Sequence, residues 1–323
     1  MRILNSLSTL SLLILSSVLP AVAAENDPFT KHEDPPIVGR WDLKVRDGER
    51  EYPSWLEVRL SGFRTLVGSY VGQFGSARPI SEISFDPAKG SFRFVVPPQW
   101  ERRTTPIAVE GKLDGELLRG ETTNVEGKAV QWEARRAPSL ERQQPPKWGA
   151  EIPLFNGRDL AGWKQRKPEI KNGWRVVDGV LTNAEPGNDL MTEKKFTDFK
   201  LRAEFRYPKG SNSGIYLRGR YEVQIEDNYG KEPDSHYIGG VYGFLTPRVN
   251  AAKKAGEWQT AEIAFVGRIV TIVLNGEPVI ERQAIPGITG GALDSDEAQP
   301  GPVMIQGDHG PVEFRALTLT PAE

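Results

Sequence analysis

Glu222, Gln224 and Glu226 alternate along one short stretch, Tyr221–Asp227 (YEVQIED). In an extended strand alternate side chains point to opposite faces, so these three share a face while Tyr221, Val223 and Ile225 take the other. The run before it, Gly214–Arg218 (GIYLR), reads the same way, with Ile215 and Leu217 facing a core and Tyr216 and Arg218 on the polar side. A row of Glu, Gln, Arg and Tyr is denser in acid–base groups than a solvated face needs to be. The plain alternative is a charged face that keeps a sheet soluble. Downstream, Gln306 alternates with Val303 and Ile305, and Asp308 and His309 follow at the strand's end. His309 is one of only 3 histidines. Its pKa range suits a general base or a metal ligand, against the alternative of a turn histidine bonded to backbone. Glu204 sits on the polar side of Phe199–Tyr207, and Arg315 alternates with Val312 and Phe314. If all these strands lie in one sheet, Glu204, Arg218, Glu222, Gln224, Gln306 and Arg315 converge on one concave surface. Tyr242 and Trp258 either stack on a sugar or pack against neighbours. Glu222, Asp227 and His309 offer oxygen and imidazole donors that suit Ca, Mn or Zn, without the sequence-local spacing of an H-E-x-x-H site.

The elements that must position these groups are strands. The 33 Gly and 25 Pro, with few long helical periodicities, point to an all-β protein with many turns. Between residues 37 and 136 eight short alternating runs are separated by turns, with Asp114–Gly115 as a hairpin signal. That density predicts a small antiparallel β-barrel or sandwich. Trp55, Trp100 and Trp132 are read there as core rings, with a sugar-stacking platform as the alternative. Residues 137–147 (APSLERQQPPK) have a linker's composition, and a second domain spans 148–323. Its hairpin through Asp178–Gly179, its turn at Asn275–Gly276 and some ten strands predict a two-sheet antiparallel sandwich. Residues 227–256 form a long irregular excursion, of a length that is usually functional or disordered.

Composition narrows the class of partner. At 323 residues the chain has room for two domains, and 38% apolar content with 8 Trp and 13 Phe supports real cores. Residues 1–24 have the three parts of a secretory signal, with small residues at Ala21–Ala24 for cleavage. Residues 25–36 then read as a polar, proline-rich tether. A formal charge of −2 becomes −3 once Arg2 leaves with that signal, and no basic block exists. This argues against nucleic acid and against an anionic membrane surface. The signal's apolar run is too short and too polar to span a bilayer. With no cysteine, an exported protein must be held by packing alone. The expected location is periplasmic or extracellular.

Seven phrases occur in order over about residues 151–321: LFNGRDLAGW, NGWRVVDGVL, FKLRAEFR, SNSGIYLRGRYEVQIED, GEWQTAEI, VLNGEPV and PGPVMIQGDHGPVEFRALTL. In this the chain resembles the 3-keto-disaccharide hydrolase domain family. The resemblance implies a concanavalin A-like jelly-roll β-sandwich and cleavage of glycosides already oxidised to a ketone at C3. Such a ketone acidifies the proton on C2. A base removes it, the aglycone leaves from C1, and water adds to the resulting enone. The route needs a base, a stabiliser for the enolate, and an acid or metal at the leaving oxygen. An ordinary glycosidase needs two carboxylates across the scissile bond instead. Glu222, His309 and Glu204 are then the candidate acids and bases. Arg218, Gln224, Gln306, Arg315, Tyr242 and Trp258 are candidates for binding an oligosaccharide or glycoside, and Asp227 for holding a divalent ion. Glu226 receives no role, because the family's pattern is apolar there. A lectin-like module without turnover is the main alternative, and an adhesion module a third.

Overall fold

Turn chemistry and period-2 patterning dictate most of the architecture. The computed structural model describes residues 33–323, so the expected signal and the first part of the expected tether lie outside the described residues. From Gly39 the chain forms β1 (Gly39–Asp47), β2 (Arg50–Ser61), β3 (Thr65–Val71), β4 (Arg78–Ile80) and β5 (Ile83–Asp86). It continues with β6 (Ser91–Val96), β7 (Ile107–Asp114), β8 (Leu117–Thr123) and β9 (Ala129–Arg136). All nine belong to one sheet in the order β4-β3-β2-β1-β9-β8-β7-β6-β5. The eight expected runs become nine strands because Arg78–Asp86 is broken at Ser81–Glu82. The break has a purpose. β4 and β5 are consecutive in sequence but terminate opposite ends of the sheet, and β3 touches β5 as β4 touches β6. The sheet thus curls almost shut, a barrel rather than a sandwich, which covers its own edges. Trp41, Phe92, Phe94 and Trp132 fill its interior.

The second half forms β10 (Ile152–Pro153), β11 (Trp163–Gln165), β12 (Trp174–Val177), β13 (Val180–Asn183), β14 (Leu190–Thr192) and β15 (Phe199–Arg206). Then come β16 (Asn212–Leu217), β17 (Tyr221–Glu226), β18 (Gln259–Val266), β19 (Ile269–Leu274), β20 (Glu277–Ala284), β21 (Met304–Ile305) and β22 (Val312–Pro321). One sheet runs β12-β13-β22-β15-β18-β19-β20, with β10 also on β22, and the other runs β11-β14-β21-β16-β17. These make the expected antiparallel sandwich, and the whole described chain is all-β. The β12–β13 and β19–β20 hairpins turn through Asp178–Gly179 and Asn275–Gly276, all four at positive φ. Both are the dipeptides that tolerate a type I′ geometry, whose twist matches the strands. Among the described residues no helix is long and apolar enough to cross a membrane.

The long excursion after β17 is ordered and has a mechanical role. β17 is the edge of its sheet, and residues 239–242 pair with it through Gln224 N to Gly240 O (2.9 Å), Gly239 N to Gln224 O (3.0 Å) and Tyr242 N to Glu222 O (3.0 Å). The loop covers an edge that would otherwise be open, and it carries Tyr242 against the polar face of β17.

Barrel and sandwich belong to one compact unit, Pro35–Glu323. Trp55 of β2 packs within the sandwich core, its ring edge-on to Phe244 at 5.4 Å. A Cβ at Gly287 would stand 2.2 Å from that indole, so only glycine fits there.

Candidate active site

The polar face of the smaller sheet ends in a pocket of about 100 Å³. Its lining includes Glu222 and Gln224 from β17, Asn212 and Tyr216 from β16, Gln306, Asp308 and His309 from beyond β21, Tyr242 from the covering loop, and Arg166 and Asp189. The antiparallel order β11-β14-β21-β16-β17 explains the gathering: Arg166 follows β11, Asp189 precedes β14 and Gln306 follows β21, so all lie at one end of adjacent strands. A larger cavity lies elsewhere, about 890 Å³ under residues 137–148, so size alone does not pick the site. Two of its guanidinium groups are already paired, Arg142 with Asp198 at 2.6 Å and Arg268 with Glu297.

Glu222 is strongly perturbed by its place in the pocket. It is 4% exposed. Burial pushes its carboxyl up to about 8, outweighing the lowering by the Tyr216 hydroxyl and by facing His309. Space for the side chain comes from Gly214 on the neighbouring strand, where a Cβ would stand 2.4 Å from Glu222 Oε1. Its backbone N–H donates to Thr289 Oγ1 at 3.0 Å. The Tyr216 hydroxyl lies 2.9 Å from Glu222 Oε2 and 3.0 Å from the Gly290 carbonyl. Burial, then the Glu222 charge, holds the Tyr216 phenol well above its usual pKa, so it keeps its proton.

Across the pocket His309 Nδ1 and Asp308 Oδ1 are 2.5 Å apart. That bond raises the imidazole above its ordinary value against the lowering by burial, and the charges of Asp308 and Glu222 add to the rise. Asp189 accepts from Gly307 N at 2.9 Å and pairs with Arg166 Nη1 at 3.1 Å, fixing the loop that bears His309. Burial raises the Asp189 carboxyl. Gln224 and Gln306 are buried, yet neither side-chain oxygen has a partner. Buried polar atoms are nearly always bonded, so two orphans lining one pocket point to a polar ligand.

The structure thus gathers Glu222, His309, Gln224, Gln306 and Tyr242, and it separates the rest of the expected set. Glu204 and Arg315 lie on β15 and β22 of the larger sheet, on its outer face, where Arg315 Nε donates to Glu204 Oε2 at 2.5 Å. Two bonds from Arg315 and Arg202, led by Arg315, hold the Glu204 carboxyl low, which suits neither an acid nor a base near neutral pH. Trp258 lies on that outer face, sandwiched by the guanidinium groups of Arg206 (4.7 Å) and Arg315 (4.6 Å). Arg218 is 0% exposed and points into the core. It falls beyond β16 at a positive φ of 52°, which ends the alternation and turns the side chain inward over Phe265 at 4.8 Å. The expectation that six polar residues share one sheet fails because β15 and β22 belong to the other layer.

Asp227 accepts from Gly210 N at 2.8 Å and lines no part of the pocket. Among the described residues no three His, Asp or Glu side chains stand where they could hold a metal ion. Sequence reasoning passed over Arg166 and Asp189, which flank strands of three residues, too short to carry an alternation signal.

A 3-keto-disaccharide hydrolase from Bacteroides thetaiotaomicron is similar to this chain, 25% identical over 167 residues that take in 40% of this chain and 57% of that protein. The chain therefore spans little more than half the length of that curated relative. Two solved structures of Parabacteroides distasonis proteins assigned as glycosyl hydrolases are also similar. One is 28% identical with a TM-score of 0.45, covering 55% of this chain and 92% of the other. The second is 25% identical with a TM-score of 0.42, covering 53% and 98%. Residues 150–320 match the 3-keto-alpha-glucoside-1,2-lyase-like domain, and the chain belongs to that family.

Proposed function

We propose that this protein cleaves the glycosidic bond of a 3-keto-glycoside or 3-keto-disaccharide by acid–base elimination, followed by hydration. The observation that carries the reading is the pairing, in one pocket, of a buried carboxyl titrating near 8 with an imidazole oriented by a carboxylate. Two groups with distinct roles near neutral pH are what the chemistry requires.

His309, in its neutral form, takes the proton from C2. The electrons of that C–H bond form the C1=C2 double bond, conjugated with the C3 ketone, and the C1–O bond breaks toward the leaving oxygen. Glu222, kept protonated by burial, gives its proton to that oxygen. Tyr216 keeps its own proton, so its hydroxyl donates to the Glu222 carboxylate that this transfer leaves. Arg166 lines the pocket and offers positive potential for the enolate oxygen. The unpartnered amide oxygens of Gln224 and Gln306 fit sugar hydroxyls. Water then adds across the double bond at C1.

The reading predicts a strict need for the ketone. A 3-keto-glucoside should be cleaved, while the same glucoside with an unoxidised C3 hydroxyl should survive, since its C2 proton is not acidic. Equal cleavage of both, measured by leaving-group release, would point to ordinary hydrolysis and reject elimination. Residues 1–24 support a role outside the cytoplasm, where glycosides arrive before uptake. Detection of the protein in the cytoplasmic fraction alone, by immunoblot, would refute that location.

A further inference from the structure

Two aromatic rings of the amino-terminal barrel stand beside the pocket of the sandwich. Phe74, in the β3–β4 connection, and Trp100, between β6 and β7, are each 39% exposed. Their rings meet edge to face at 5.4 Å, and Trp100 Nε1 donates to Phe74 O at 2.9 Å. Both connections are fixed from below. Ser76 N donates to Gln99 Oε1 at 2.9 Å, and Arg78 Nη1 reaches Glu101 Oε1 at 2.8 Å.

The same connection is docked on the sandwich. Gly291 N donates to Gln73 O at 2.9 Å. A Cβ at Gly290 would stand 2.1 Å from Gly75 O, so backbone meets backbone there. Gly290 is also the carbonyl that faces the Tyr216 hydroxyl at 3.0 Å. Phe74 and Gly75 line the pocket that holds Glu222 and His309.

Size then says where the remainder of a substrate must lie. A pocket of about 100 Å³ is well below the roughly 300 Å³ at the small end of ligand sites. It has room for the reacting part of one sugar, which leaves a second ring on the rim. Aromatic faces suit the C–H surface of a pyranose, and a wedge of two rings held by hydrogen bonds is already in place, so little order has to be imposed on binding.

We propose that Phe74 and Trp100 form a subsite for the leaving-group sugar, so that the barrel, which lies outside the matched residues 150–320, completes the substrate site. The inference rests on the pocket being the place of 3-keto-glycoside cleavage. The full chain and its Trp100→Ala and Phe74→Ala variants, each checked by circular dichroism, would be compared on a 3-keto-disaccharide and on methyl 3-keto-glucoside, whose leaving group is too small to reach the rings. The ratio of kcat/KM for the disaccharide over that for the methyl glycoside should fall at least about tenfold in each variant, mainly through KM. An unchanged ratio in both variants would overturn the subsite. If the wild type cleaves neither compound, the reaction is wrong, and calorimetric titration with the unreacted disaccharide decides the subsite by itself. Binding lost in both variants supports it, whereas equal binding in all three proteins, or none in the wild type, overturns it.

Discussion

The Tyr216 hydroxyl stands between Glu222 Oε2 at 2.9 Å and Gly290 O at 3.0 Å, with one proton for two neighbours. A backbone carbonyl only accepts. When Tyr216 donates to Gly290, its contact with Glu222 is satisfied only if the carboxyl brings a proton of its own. Donation to Glu222 instead favours the ionised carboxyl, but burial outweighs it, so Glu222 keeps its proton near neutral pH.

From this follows a pH profile. kcat/KM on a 3-keto-glucoside should be bell-shaped, falling on the alkaline side with an apparent pKa of about 8 as Glu222 ionises. The acidic limb belongs to His309, whose pKa lies above 6.5, so activity is lost as the imidazole takes up a proton. Glu222→Gln should lower kcat by about 10²–10⁴, the range for losing a general acid, and abolish the alkaline limb. An unchanged limb in that variant would assign it to another group.

Stability should report the same proton. The folded-state pKa of Glu222 is raised above its unfolded value of 4.5, to about 8. Between these values the folded chain holds a proton that the unfolded chain has released, so the stability contributed by the protonated form declines as pH rises through that window. Asp42, pushed up to about 9 by burial and then by Glu297, acts in the same direction. The informative quantity is thus the difference between wild type and Glu222→Gln. Thermal melts from pH 5 to 8 should show wild type losing more Tm than the variant, and parallel curves would contradict a buried protonated carboxyl.

Gly214→Ala tests the space that the carboxyl needs. A methyl group 2.4 Å from Glu222 Oε1 must displace it. Overpacking of this kind costs about 1–3 kcal/mol, measurable by urea denaturation. Activity should fall more than that figure explains, because the acid has moved. Full activity in the variant would mean that the observed position of Glu222 is not the working one.

Glu204→Gln and Arg315→Leu address the outer face. Both residues belong to a surface ion pair on the larger sheet, where such pairs contribute about 0–1 kcal/mol. Turnover in each variant should stay within about twofold of wild type. A hundredfold loss would return Glu204 to the reaction.

How far the residues alone reached is clear from particular strands. Period-2 alternation found β15, β17 and β22 and placed Glu222 and Gln224 on one face, because a half-buried strand writes its two environments into successive residues. It could not say which strands share a sheet. Glu204 and Glu222 each alternate correctly, and only the topology, β15 in one layer and β17 in the other, separates them. Arg218 was misplaced because a single residue at φ 52° leaves the strand's alternation. Asp189 and Arg166 left no pattern in strands of three residues, and Phe74 reaches the pocket through contacts between distant segments. Trp100 shows the same limit, since a tryptophan's type alone does not distinguish a core ring from an exposed one, whereas Trp55 and Trp132 are buried as expected.

The central claim is that Glu222 donates the proton that releases the leaving group. Its most direct measurement is aglycone release from a 3-keto-glucoside bearing a chromogenic leaving group, by wild type and by Glu222→Gln. Because a nitrophenolate needs little protonation, the variant should cleave that substrate far better than one with an alkyl leaving group, while wild type cleaves both. No release by wild type, or an equal loss by the variant on both substrates, would contradict the account.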